Sequence, residues 1–437
     1  MQSMLRCIAA ALLAAVLATP ALSQDTTRAV RIGLTYQAGV KPGVMVLPVA
    51  GPGGDSLAMI LRRDLDYGDR VTVIGTEASD AAEAARAGAG GRVNYELFAR
   101  LGAAAIVQLS QTATGIQATV HDVGQQRIAQ QGTFAIPAGF GSPQWRMAVH
   151  AASDEIERWI TGVRGIAQTR VLFVRGGRVY VIDVDGANER PLSDEESAMS
   201  PAWHPGGRHI AYSSMSDAGS RIHIRDITTG QVRRLPADRG STDITPVFTP
   251  DGRSIVYSSA RGEASDLVLA PALTEGTPRR ITISRGAQIN VSPSFSPDGR
   301  RLAYTSDRAG HNEVYISDVD GTNAELLTPF AFGDQYYRAS PDWSPDGRSV
   351  AFMSQIDGRF QIMTIDLRTR ELKQHTSDGI NEDPSWAPDG RHLVFTSNRT
   401  GAKQLFVLDV ESGRVRQLTR TGGARLAAWS YYPDRVQ

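Results

Sequence analysis

The chain has 437 residues, 46 basic and 46 acidic side chains and a formal net charge of zero, with no long run of like charge. That balance gives no electrostatic case for nucleic acid or an anionic membrane as partner. Its single cysteine, Cys7, lies in the leader described next, so disulfides, thiolate-bound metals, iron–sulfur clusters and a thiol nucleophile are excluded from everything that follows.

Residues 1–23 carry Arg6, an apolar run from Cys7 to Ala18 and the small-residue site Ala21-Leu22-Ser23. This reads as a cleavable secretory signal peptide, too short and wrongly flanked for a transmembrane helix. No other apolar stretch approaches the length of a membrane span.

Residues 24–162 alternate strand and helix signals. Val30–Leu34, Val44–Val49 and Val71–Ile74 are apolar runs bounded by Gly, Pro or Asp and read as strands. Between the last two, Leu57, Ile60, Leu61 and Leu65 share a helical face over Asp55–Asp66. The Ala- and Gly-rich stretch 78–91 reads as a loop. A helix over Asn94–Leu101 precedes three strands, Ala105–Leu109, Ile116–Val123 and Ile128–Ile136. An amphipathic helix over Ser142–Thr161 follows, burying Trp145, Ala148, Ala152, Ile156, Trp159 and Ile160. The expectation is an N-terminal α/β domain, with residues 163–169 as a linker.

From residue 170 onward one cassette dominates. It is clearest as Ser292-Pro-Ser-Phe-Ser-Pro-Asp-Gly-Arg300, and its opening prolines Pro201, Pro246, Pro293, Pro341 and Pro384 lie 45, 47, 48 and 43 residues apart. A period of that size marks an array. Each unit reads as four short strands, with the Pro-Asp-Gly turn joining the first two. Four antiparallel strands per unit describe a propeller blade. Val171–Val174, Val179–Val184 and Arg190–Leu192 lack a first strand, and Leu426–Ser430 supplies that pattern at the far end. The prediction is therefore an α/β N-terminal domain followed by a six-bladed all-β propeller over 170–437, closed by the C-terminal strand; closure removes two exposed sheet edges.

Signals for chemistry are sparse. Asp183-Val-Asp185-Gly186 and Asp318-Val-Asp320-Gly321 lack the remaining ligands of a calcium loop and read as hairpin turns. His204 and His209 flank a Pro-Gly-Gly turn without a partner carboxylate at helical spacing. No Gly-x-Ser-x-Gly elbow occurs, and Gly51-Pro-Gly-Gly54 lacks the lysine and hydroxyl of a phosphate loop. No catalytic residue, metal site or cofactor is expected. Trp203, Phe248, Phe295, Trp343, Trp386 and Trp429 recur at one repeat position and read as wedges between blades. The less regular residues just before the blade prolines remain as an interaction surface at one channel mouth: Thr242, Asp243, Asn290, Val291, Tyr337, Arg338, Asn381 and Glu382.

Several stretches resemble the TolB family of the Tol-Pal envelope system. They are Val46-Leu-Pro-Val-Ala-Gly-Pro-Gly-Gly54 with Asp64-Leu65, Ala152-Ser-Asp-Glu-Ile156, Thr161-Gly-Val-Arg-Gly165 and the closing Ala428-Trp-Ser430. The resemblance implies a non-catalytic, monomeric periplasmic scaffold that supports outer-membrane integrity and cell division. Its propeller mouth would receive the lipoprotein Pal, notably through Thr242, Asp243, Asn290 and Val291. A tail at 24–33, with Ala29, Val30, Arg31 and Ile32 as its strand, would engage TolA of the inner membrane. Pro205-Gly-Gly207 departs from the Pro-Asp-Gly turn of the other copies, and the residues after Ile32 depart from the family pattern. The competing readings are a periplasmic propeller enzyme acting on polysaccharide or peptide, and a TolB-like paralogue serving another envelope complex.

Overall fold

A computed structural model describes residues 40–75, 93–217, 219–274, 279–281, 288–329 and 336–433. All of them belong to one compact unit, Gly33–Gln437. The expected signal peptide, the tail with its strand at 30–34 and the 78–91 loop lie outside the described residues.

The N-terminal sheet contains β1 (Gly43–Val46), β2 (Thr72–Val73), β3 (Ala105–Thr112), β4 (Gly115–Asp122) and β5 (Arg127–Ala135), in the order β2-β1-β3-β4-β5. β1 runs parallel to both neighbours, whereas β3, β4 and β5 form an antiparallel meander. Alternation along β1 sorts the core. Val44 and Val46 face α1 (Gly54–Tyr67) and α3 (Pro143–Thr161), while Met45 joins Leu47 and Phe98 of α2 (Tyr95–Arg100) on the other side. The start of α3 is written in its sequence. The Ser142 hydroxyl accepts from the Trp145 amide at 3.2 Å, Pro143 opens the first turn, and Gly162 ends the helix at φ 80°.

The remaining strands form propeller sheets. β6 (Arg170–Arg175), β7 (Arg178–Asp183) and β8 (Arg190–Pro191) are completed by the C-terminal strand β29 (Arg425–Trp429), in the order β29-β6-β7-β8. Next come β9 (Ala198–Trp203), β10 (His209–Ser216), β11 (Gly219–Asp226), β12 (Val232–Arg234), β13 (Thr242–Phe248), β14 (Ser254–Arg261), β15 (Ala264–Pro271) and β16 (Arg279–Ile281), all in one eight-stranded sheet. Three four-stranded sheets follow. They are β17 (Asn290–Phe295) to β20 (Glu325–Leu326) by way of β18 (Arg301–Ser306) and β19 (Glu313–Asp318); β21 (Arg338–Trp343) to β24 (Leu372–Gln374) by way of β22 (Ser349–Ile356) and β23 (Arg359–Asp366); and β25 (Asn381–Trp386) to β28 (Val415–Gln417) by way of β26 (His392–Ser397) and β27 (Gln404–Asp409).

The sheets therefore differ from the expected set of six separate four-stranded blades: four have four strands and one has eight. The cause is local. β11 and β13 meet through a single parallel pairing of Ser220 with Thr242, reinforced by the Ser220 hydroxyl donating to the Asp243 carbonyl at 2.9 Å. One long-range contact of this kind leaves no period in sequence.

Every inner strand carries the same irregularity. Ser200, Thr245, Ser292, Ser340, Asp383 and Leu426 all have φ between 48° and 55°, and the ladder to the second strand slips at each site. An extra residue there bends the strand and turns the following aromatic side chain. The aromatics pack as blade wedges. Phe295 joins Val256 and Leu267 of the preceding sheet to Leu302 and Tyr304 of its own, and Trp343 and Trp386 repeat the arrangement one sheet further on. Polar side chains then tie neighbours together: the Trp343 amide donates to Ser294 Oγ at 3.0 Å, Trp386 to Asp342 Oδ2 at 2.7 Å and Trp429 to Ser385 Oγ at 3.1 Å.

Candidate functional site

Because all inner strands run the same way, the ring has two chemically distinct ends. At the end where these strands finish, Trp203, Phe248, Phe295, Trp343, Trp386 and Trp429 line a cavity of about 460 Å³ together with the turn prolines and Tyr431. At the end where they begin lie the residues singled out from sequence. Thr242 and Asp243 open β13, Asn290 and Val291 open β17, Tyr337 and Arg338 meet β21, and Asn381 and Glu382 open β25. Ala29, Val30, Arg31 and Ile32 lie outside the described residues.

Half of this set is not a solvated rim. Asp243, Asn290, Arg338 and Asn381 are at most 6% exposed. Asn290, Arg338 and Asn381 find polar partners inside the protein, whereas Asp243 Oδ1 is buried without a hydrogen-bond partner among the described residues. Asn290 donates to the Ser265 carbonyl at 3.0 Å, and its amide donates to Ser265 Oγ at 2.9 Å. Asn381 donates to Gln361 Oε1 at 2.8 Å and to the Asp378 carbonyl at 3.0 Å. Arg338 reaches Glu313 at 3.1 Å and lies over the Tyr336 ring. Burial raises the Asp243 carboxyl above its ordinary value, opposed by hydrogen bonds from Ser259 and Ser241. Tyr337 is the exposed member, 40% accessible and packed edge-on against Phe360. Thr242, Val291 and Glu382 are half-buried, with Glu382 paired to Lys403.

Sequence reasoning missed two residues beside them. Arg308 donates to Asn290 Oδ1 at 3.3 Å, and Arg399 donates to Asn381 Oδ1 at 2.9 Å. Their signal was present as Ser306-Asp-Arg308-Ala-Gly310 and Ser397-Asn-Arg399-Thr-Gly401, a second repeat weaker than the proline cassette.

The opposite end is tied by charge to α1, the residues just after it and α3. Asp185, in the turn after β7, takes Arg63 of α1 and Arg146 of α3, and lies 3.4 Å from His150 Nε2. His150 Nδ1 bonds Asp64 at 2.8 Å; desolvation opposes its proton, but the two carboxylates prevail and push its pKa up to about 10. A second node repeats the pattern. His392 sits 2.8 Å from Asp389 and 3.4 Å from Asp69, while Asp389 also binds Arg70 at 2.9 Å. Arg414 joins Asp66 at 2.7 Å and Asp69 at 3.0 Å. Asp389 belongs to the Pro388-Asp389-Gly390 turn, so the helices meet the propeller at the end where β25 finishes.

These contacts dispose of the metal-like groupings. His150, Asp183 and Asp185 converge, as do Asp69, His392 and Asp409, yet each set already contains arginine partners: Arg170 on Asp183, Arg63 and Arg146 on Asp185, Arg414 on Asp69 and Arg391 on Asp409. An ion would have to displace them. Asp318 and Asp320 close a turn through Gly321 and Thr322. His204 holds the Gly252 carbonyl at 3.1 Å and accepts from the Gly206 amide at 3.0 Å, which makes it a turn-packing residue.

The comparisons agree with this architecture. A family model described as the TolB beta propeller domain matches residues 157–432. The Tol-Pal system protein TolB of Methylococcus capsulatus is 33% identical over 205 residues, which cover 44% of this chain and 47% of that protein. Its counterpart in Thioalkalivibrio sulfidiphilus is 40% identical over 116 residues, 24% of this chain and 26% of that protein. The chain thus spans less than half the length of each of these relatives. The crystal structure of TolB from Acinetobacter baumannii superposes with a TM-score of 0.77 at 23% identity, covering 90% of this chain and 97% of that one, a likeness of fold. With more than half of its length matched by the propeller family, the chain belongs to the TolB family.

Proposed function

We propose that this protein is a non-catalytic periplasmic scaffold of the Tol-Pal system. Its propeller mouth binds Pal and its N-terminal tail at 24–33, through Ala29, Val30, Arg31 and Ile32, binds TolA, supporting outer-membrane integrity and constriction at division. The observation that carries the reading is the TolB propeller match over residues 157–432, joined to relatives named as Tol-Pal system proteins. No helix among the described residues is long and apolar enough to cross a membrane, which suits a scaffold delivered by a signal peptide at 1–23.

In this reading the N-terminal α/β domain is 24–162, the linker 163–169 and the propeller 170–437. The eight-stranded sheet works as two blades, making six. The contact face is built from Thr242, Asp243, Asn290, Val291, Tyr337, Arg338, Asn381 and Glu382. The buried members set the backbone and orient neighbours, whereas Tyr337 and Glu382 meet the partner. The protein acts as a monomer without metal or cofactor.

The test is calorimetric titration of residues 24–437 with the soluble domains of Pal and TolA from the same organism. One-to-one binding of Pal, weakened by Tyr337→Ala, and loss of TolA binding alone on removing 24–33 are expected. Hydrolysis of polysaccharide or peptide, or absence of Pal binding, would overturn the proposal.

A further inference from the structure

The hairpins between second and third strands carry several arginines at the end where the inner strands begin, and they are not alike. Arg175 is neutralised by Glu189 and Arg261 by Asp238. Arg308 and Arg399 have no carboxylate within ion-pair distance among the described residues. Their acceptors are neutral: Ser306 Oγ at 3.1 Å, Tyr304 Oη at 3.2 Å and Asn290 for Arg308; Ser397 Oγ at 3.1 Å and Asn381 for Arg399. Each guanidinium also rests on aromatic faces, Arg308 at 4.5 Å from the Tyr315 centroid and Arg399 at 4.9 Å from that of Phe406.

Such placement is costly unless something answers the charge. A half-buried guanidinium hydrogen-bonded to neutral oxygens and resting on π-faces keeps its positive charge; burial lowers the Arg399 pKa, and the charge of Asp378 opposes this only in part. The fork is also immobilised by its acceptors, so little rotamer entropy is lost when a carboxylate arrives. The propeller itself does not require the arrangement: at the corresponding places in β10 and β22 stand Ser216 and Ile356. Among the described residues, the side-chain hydrogen bonds of Arg308 and Arg399 all run from Nε and Nη2, and neither Nη1 makes one.

We infer that Arg308 and Arg399 are a pair of carboxylate receptors on the propeller mouth, and that the partner docking there presents two acidic side chains to them. The occupant is an acidic protein surface, chosen by charge complementarity. This deepens the Pal reading and rests on it.

The test is titration of residues 24–437 with soluble Pal, using Arg308→Gln, Arg399→Gln and the double variant, with Arg261→Gln as the already neutralised control. Each single change weakens binding on the order of 10-fold, as expected when one member of a desolvated charge pair is removed, and the control leaves the affinity within about 2-fold. If unmodified protein binds Pal but the double variant binds equally well, the inference is overturned while the Pal reading stands. If unmodified protein does not bind Pal, the reading falls and takes the inference with it. Should a Gln variant melt at lower temperature, unmodified protein decides: affinity that is the same at about 50 and about 200 mM salt overturns the pair, and a steep fall supports it.

Discussion

His150 gives the sharpest stability prediction. It is completely buried between Asp64 and Asp185, with Arg63 and Arg146 on the same Asp185 oxygen, and its pKa is pushed from 6.5 up to about 10. A raised folded-state pKa means stability that is fully present below the unfolded value and lost as pH rises through the folded one. Across the whole window the linkage is worth on the order of 4–5 kcal/mol, and roughly 2 kcal/mol of it disappears between about pH 6 and pH 8. His150→Gln removes the proton site while keeping a polar side chain. Urea unfolding followed by tryptophan fluorescence should therefore show a large deficit for the variant at pH 6 that shrinks steadily towards pH 9. A deficit independent of pH would mean that His150 is neutral in the folded protein and that the charged node is misread.

Further outcomes follow from other contacts. Asp185→Ala leaves Arg63, Arg146 and His150 short of a carboxylate and should cost about 3–5 kcal/mol in the same urea assay. Asp342, buried and pushed up to about 6, should destabilise the protein as pH rises from about 4 through 6, and Asp342→Asn should remove that slope in thermal melts. Trp386→Ala opens a gap between sheets worth about 3–5 kcal/mol, with loss of near-ultraviolet circular dichroism if the wedge is structural. Gly177→Ala should lower expression and melting temperature, because φ is 73° and an added Cβ would lie 1.8 Å from the Glu196 carbonyl oxygen.

The repeat was legible because its determinants are local. Proline, Asp-Gly turns and an alternating strand after each turn act within about ten residues of one another, and the closing match of Leu426–Ser430 to the first propeller strands needs only the count of missing strands. The fused eight-stranded sheet was not legible, since it depends on Ser220 meeting Thr242 across two loops. Nor was the ionic interface: His150 is 86 residues from Asp64, and His392 is 323 from Asp69. At the mouth, sequence located the right strand starts but not their burial. Asn290 and Asn381 look like solvated loop residues until the arginine hairpins above them are placed. The shared backbone bend before each aromatic was equally hidden, as residues as unlike as Ser292, Asp383 and Leu426 adopt it.

The proposed function requires that the mouth where the inner strands begin receives Pal. A photo-cross-linking amino acid at Tyr337, with a second protein carrying it at Tyr431 beside the opposite cavity, tests this directly. Cross-links to Pal from position 337 and none from 431 are predicted. Cross-links from 431 alone would place the partner at the aromatic end and contradict the proposed docking face.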